Sequence, residues 1–110
     1  MNKVDEKIDQ MKADIFKALG HPLRLGIVKE LGNGRKCVCK LAELVNSERS
    51  NVSRHLSVMV HAGILRSEKQ GLMVYYELAA PCVPGFLDCL ENMLEKRLAD
   101  QHELLKAMKA

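Results

Sequence analysis

Apolar residues at Val4, Ile8, Met11, Ile15 and Leu19 recur at alternating intervals of four and three along an otherwise charged segment. That spacing draws one stripe down a helix, and the stripe needs a surface to cover it. Gly20 and His21 break the pattern, Pro22 suits the first turn of a second helix, and Leu23, Ile27, Val28 and Leu31 define its inner face. Gly32, Asn33 and Gly34 end it. After a short segment from Lys36 to Cys39, Leu41, Leu44 and Val45 predict a brief third helix that stops near Asn46. Ser47 to Asn51 reads as a turn rich in cap-forming side chains. Val52, Leu56, Met59 and Val60 then make one face of a fourth helix, closed by Gly63. Two short helices joined by a tight turn form a helix-turn-helix.

Beyond it, Ile64 to Gln70 and Met73 to Leu78 flank Gly71 and Leu72, and Val74, Tyr76 and Leu78 alternate with more polar neighbours. Alternation in the second of two segments that flank a glycine turn predicts a β-hairpin, which would stand beside the helices as a wing. Pro84 is placed to open a last helix, along which Leu87, Leu90, Leu94 and Leu98 carry a stripe towards Leu105 and Met108. A helix from Pro84 to Ala107 would span ~36 Å at 1.5 Å per residue, more than so small a body needs. The fold expected is mainly α with a hairpin wing, a winged helix-turn-helix, forming a homodimer through its first and last helices.

Length and charge narrow this picture. The 110 residues suffice for one domain, taken here as 1–110, and a domain of this size leaves part of its apolar surface uncovered when alone. Seventeen Lys and Arg against fourteen Asp and Glu give +3, too mild an excess to argue for nucleic acid by itself. No run approaches the roughly 18 apolar residues of a membrane span, and Met1 to Met11 is amphipathic where a secretory leader would be apolar. A cytoplasmic protein with no membrane partner is expected. Four cysteines are too few for a disulfide scaffold, and in a reducing compartment paired thiols point to metal or redox chemistry.

With Val52, Leu56, Met59 and Val60 turned inward, the fourth helix presents Arg49, Ser50, Asn51, Ser53, Arg54, His55 and Ser57 at its start or on its outer face. Short hydroxyl and amide side chains allow close approach to a major groove, and arginine adds charge and a bidentate donor. On the wing, Arg66, Lys69 and Gln70 extend the candidate contact to double-stranded operator DNA. Neither His55 nor His61 reads as a metal ligand.

The stretches "FKALGHPLRLGIVKEL", "CVCKLAEL", "SNVSRHLSVMVHAGIL" and "GLMVYYEL" resemble the ArsR/SmtB family of metal-sensing winged-helix repressors, over roughly Ile15 to Leu78. The resemblance implies a homodimer that binds an operator when metal-free and releases it when a toxic metal or metalloid binds. It also implies that the fourth helix reads the major groove and that the terminal helices form the dimer interface.

Cys37 and Cys39 straddle the expected start of the third helix, where unpaired amides and the helix dipole favour anions such as thiolates. Two thiolates one residue apart can chelate a single soft ion. The "CVC" motif here resembles the arsenic-, antimony-, cadmium- and lead-responsive branch of the family, which makes As(III) or Sb(III) the expected inducer and Cd(II) or Pb(II) the alternative. Trivalent arsenic takes three sulfurs. Arsenite repressors of the best-known type place the third one three residues on, in the same helix, but here that position is Ala42. Cys82 and Cys89 in "PCVPGFLDCLE" are the remaining candidates, from the same or the opposite subunit. The zinc branch uses Asp and His pairs on the last helix. Asp100 and His102 share the short spacing, but no second His follows, so that site is not expected.

Two other classes compete with this one. In a redox sensor, Cys37 or Cys39 would form a disulfide with Cys82 or Cys89. An enzyme is not expected, since the chain has no phosphate-cradling glycine loop, no His near the cysteines in sequence and no carboxylate pair with an evident shared pocket. A winged helix used only for protein contacts would want aromatic or Met anchors where this sequence has Ser50, Asn51, Ser53, Arg54 and Ser57.

Overall fold

The computed structural model describes residues 2–110, which divide into two compact units, one running through Ala80 and the other Pro81–Ala110. The first holds α1 (Lys3–Leu19), α2 (Pro22–Leu31), β1 (Lys36–Cys37), α3 (Val38–Leu44), α4 (Arg49–His61), β2 (Leu65–Gln70) and β3 (Met73–Leu78). The second is one helix, α5 (Cys82–Lys109). The helix-turn-helix and its hairpin wing stand where the apolar periodicity places them.

The turn between α3 and α4 is built by Asn46. Its φ of 52° is in the left-handed region, which asparagine tolerates better than most residues. The Asn46 N–H reaches the Glu43 carbonyl at 3.3 Å and the Ser47 N–H reaches that of Ala42 at 3.0 Å, the paired closure of a Schellman motif. The same device ends α4 on Gly63, at φ 82°: Gly63 bonds back to Val60 and Ile64 to Met59, with Met59 and Ile64 both buried. Because Asn46 alone satisfies the reversal, α4 starts at Arg49. The expectation of a turn running to Asn51 was too long, since cap-forming side chains also suit a first helical turn.

The core of this unit joins Ile27, Val28 and Leu31 of α2, Leu41 and Ala42 of α3, Val52, Leu56 and Met59 of α4, and Ile64 and Leu65 at the base of the wing. Val60, expected inside, is half-buried, and Leu44 is exposed. From α1 only Ala18 and Leu19 enter the core; Val4, Ile8, Met11 and Ile15 stay exposed, so the predicted stripe exists without a cover in the single chain.

The sheet is antiparallel in the order β1-β3-β2. β2 and β3 pair from Leu65 opposite Leu78 to Gln70 opposite Met73, across a two-residue turn whose first member, Gly71, has φ 62°. This is a position where glycine carries no steric cost. The sequence pattern did not reveal β1: two residues, Lys36 and Cys37, paired with Tyr76 and Tyr75. Flanked on both edges, β3 is half-buried from Tyr75 to Leu78 and lacks the clean alternation expected of it.

α5 starts two residues earlier than expected and runs 28 residues, ~42 Å at 1.5 Å each. Pro84 falls in its first turn, where a missing N–H costs nothing. Leu90, Leu94, Leu98, Leu105 and Met108 are exposed along it.

Candidate nucleic-acid interface and thiol pair

Of the residues expected to face DNA on α4, Arg49, Ser50, Ser53, Arg54 and Ser57 are exposed, whereas Asn51 and His55 are half-buried. The half-buried pair is engaged within the protein. The Asn51 side-chain amide donates to Ser47 Oγ at 2.9 Å, and its oxygen accepts from Arg54 Nη2 at 3.2 Å. Both ends of the amide are occupied, so in this structure Asn51 aims Arg54 from the turn. His55 Nδ1 accepts from Arg24 Nε at 3.0 Å, and its ring centroid lies 4.4 Å from that of His21. Burial, followed by the charges of His21, Arg24 and Arg54, holds its imidazole below the usual value for histidine.

The wing residues do not share one face. Strand alternation puts Arg66, Glu68 and Gln70 on one side of β2 and Lys69 on the other. Arg66 Nε donates to Glu77 Oε1 at 2.8 Å, and that bond keeps the Glu77 carboxyl below the usual range. Gln70 Oε1 accepts from Arg35 Nη2, while Arg35 Nη1 reaches Glu68 at 3.3 Å and the guanidinium lies 4.5 Å from the centre of the Tyr75 ring. Arg35 and Arg24 were not among the residues singled out from the sequence. The only local signal for Arg35 is its place after the left-handed Gly34, φ 125°, and Arg24 carries none.

Cys37 is both the second residue of β1 and the N-cap of α3; Cys39 follows in the first helical turn, and both are half-buried. Their expected position astride the helix start is therefore the observed one. A shallow recess of about 1010 Å³ beside α3 and α4 is lined by Cys39 together with Ser47, Arg49, Ser50, Asn51 and Arg54. Cys39, one of the pair, thus borders the surface that carries the candidate reading residues. Cys82 and Cys89 are exposed on α5, seven residues apart. Seven residues is two turns, so they share a helix face but sit ~10 Å apart along the axis, too far for one ion to bind both. Among the described residues no group of three or more His, Cys, Asp and Glu side chains is placed together to hold a metal ion. No helix among them is long and apolar enough to cross a membrane.

Residues 21–67, from the N-cap of α2 into β2, match the model of the bacterial regulatory protein, arsR family. The HTH-type transcriptional regulator MJ1325 of Methanocaldococcus jannaschii is 42% identical over 82 residues, covering 74% of this chain and 92% of its own. The regulator Rv0081 of Mycobacterium tuberculosis is 31% identical over 106 residues, covering 96% of this chain and 93% of its own. Its crystal structure superposes with a TM-score of 0.75 over 86% of this chain and 95% of that one, at 32% identity. The arsenical resistance operon repressor of Bacillus subtilis is 38% identical over 73 residues, covering 66% of this chain and 70% of its own. With this core, these turns and these relatives, the chain belongs to the arsR family of bacterial regulatory proteins: it is a winged helix-turn-helix DNA-binding transcriptional regulator, not an enzyme.

Proposed function

We propose that this regulator is a cytoplasmic homodimeric repressor that holds an operator through α4 and the wing and lets go when As(III) or Sb(III) binds Cys37 and Cys39. The observation that carries the reading is the place of the thiol pair. Cys37 stands at the N-cap position of α3 and Cys39 lines the recess shared with Arg49, Ser50, Asn51 and Arg54, so a ligand there strains the element that orients the reading helix. A name that speaks of arsenical resistance, on a relative 38% identical, supports the choice of inducer. The donor set fits a thiophilic ion in part: two soft sulfurs are in place, and the third must be Cys82 or Cys89, of the same subunit or the other. The exposed stripes on α1 and α5 support pairing of two chains through those helices.

Two recognition helices must lie ~34–36 Å apart, or a multiple of that, to address successive turns of one duplex face. A small rotation of each then forfeits contacts in both half-sites. A coupling of ~1–3 kcal/mol per site, typical of allostery, lowers occupancy several-fold to a hundred-fold.

The test is titration of the reduced protein with arsenite, following sulfur-to-arsenic charge-transfer absorption and counting thiols lost, in parallel with a gel shift. Three thiols per site and release of DNA are expected, with the Cys37→Ser, Cys39→Ser double variant remaining bound. If that variant lets go of its operator as the parent does, the reading fails.

A second reading rests on the exposure of Cys82 and Cys89. Hydrogen peroxide, taking two electrons and two protons from a thiol pair to leave a disulfide and water, would then be the signal. Release by peroxide in metal-free buffer, reversed by dithiothreitol, would favour it. Release by Cd(II) or Pb(II) in preference to arsenite would keep the site and change the inducer.

A further inference from the structure

Arg24 extends from the first turn of α2 to two other helices. Its Nε donates to His55 Nδ1 at 3.0 Å, and its Nη1 reaches the carbonyls of Ala18 at 3.2 Å and Lys17 at 3.5 Å. Those carbonyls belong to the last turn of α1, where main-chain acceptors have no partner within the helix and a cation is favoured by the dipole. A single guanidinium therefore ties the end of α1 to the middle of α4. The neighbouring His21 is committed as well, since its Nδ1 caps α2 by accepting from the Leu23 N–H at 3.1 Å.

We propose that Arg24 and His55 form a latch that fixes the orientation of α4, so that His55 is a positioning residue for operator binding and not a contact to the DNA. The proposal rests on the reading that α4 addresses the duplex. It assigns the His55 imidazole a defined state: Nδ1 carries the lone pair that Arg24 needs, and any proton sits on Nε2. A second proton would occupy Nδ1, break the bond and leave a cation among cations. The charged and titratable groups around the ring are His21 at the N-cap of α2, Arg24 of α2 and Arg54 of α4, none of them acidic. Beyond Arg24, the adjoining recess is lined by Asp14 and Lys17 of α1 and His61 of α4.

The two roles of His55 predict opposite pH behaviour. A histidine that touches phosphate gains charge as pH falls and strengthens binding. The latch is intact while His55 is neutral and opens on protonation, so operator affinity falls with acidity.

The experiment starts from a duplex obtained by in vitro selection with the reduced, full-length protein. If selection yields no duplex, the reading of α4 fails; the latch is judged on a selected one. Fluorescence anisotropy at constant ionic strength from about pH 7.5 to about 5.5 should show affinity dropping about two- to fivefold and still falling at the acid end, because an imidazole held below its usual value is only part protonated there. In His55→Asn, the amide oxygen takes the place of Nδ1 without titrating. Affinity near neutral pH should stay within about threefold of the parent and the profile should flatten. Arg24→Ala and His55→Ala should weaken binding roughly tenfold while leaving the salt dependence unchanged, because no phosphate contact is removed. His21→Asn, which retains a capping side chain but removes a charge that holds the His55 imidazole down, should keep the loss of affinity with acidity and move its midpoint to higher pH. Should Arg24→Ala fail to fold, the His55→Asn profile and the His55→Ala salt slope decide alone. Parent affinity that rises with acidity, a His55→Asn profile as steep as the parent's, or a salt slope reduced by about one in His55→Ala overturns the latch.

Discussion

Cys37 stands opposite Tyr75 in the pairing of β1 with β3. The residue at the N-cap position of α3 is thereby also paired to the wing, and whatever grips its sulfur pulls on two elements. Lys36 stands opposite Tyr76 in the same way.

This register supplies a spectroscopic reporter. The chain has no Trp and two Tyr, both on β3 against β1. Binding of a thiophilic ion at Cys37 should therefore change intrinsic tyrosine emission, and the Cys37→Ser, Cys39→Ser variant should give a flat titration. Unchanged emission in the parent, with thiols demonstrably lost, would show that the grip does not reach the wing.

The turn at Asn46 makes a prediction about stability. Asn46→Gly should be tolerated, whereas Asn46→Val puts a β-branched residue at φ 52° and should cost about 1–2 kcal/mol. For a domain of this size that lowers Tm by roughly 4–8 °C per kcal/mol, which differential scanning calorimetry resolves. Equal melting of the two variants would mean that the backbone relaxes out of the left-handed region.

On the wing, Arg66 is held by a carboxylate that a phosphate would have to displace. The bond from Arg66 depresses the Glu77 pKa, so the pair is present above the usual carboxylate range and is lost only as pH falls through the lowered value. Under the reading that Arg66 meets a phosphate, the carboxylate competes with DNA at neutral pH. Glu77→Gln should tighten operator binding several-fold, and Arg66→Ala should weaken it and reduce the salt slope by about one. If Glu77→Gln weakens binding, the ion pair is needed to shape the wing.

Charge placed on the exposed stripes should divide the dimer. Ile8→Glu with Met11→Glu on α1, or Leu94→Glu with Leu98→Glu on α5, should sediment as monomers with helical content retained. Operator affinity should fall by on the order of a hundredfold, since each half-site would then be engaged alone. A dimer persisting in both double variants would place the interface elsewhere.

Much of this protein was readable because its periodicities are strong. Five helices, the tight turn and the hairpin follow from apolar spacing, and Gly63 and Gly71 mark reversals that need positive φ. The rest depended on pairings that leave no local trace. β1 is too short to have a period and exists because β3 has a free edge beside it. Arg24 and Arg35 look like ordinary surface cations until the fold brings His55 and Tyr75 to them. Asn51 and His55 were picked out for polarity and helix position, which cannot tell a group awaiting DNA from one already partnered within the chain. The cysteine pair suggested thiophilic chemistry because two soft donors lie one residue apart; sequence spacing says nothing of which distant sulfur would complete a set.

The bare stripes on α1 and α5 have a consequence for supply. A freshly made copy that meets no sister displays two greasy helices, the kind of surface that chaperones and proteases recognise. Under the dimer reading, a cell making this regulator at very low levels would lose much of it before any promoter was reached. Below some rate of synthesis the gene would be silent in effect even while transcribed, and the switch would thereby carry its own threshold.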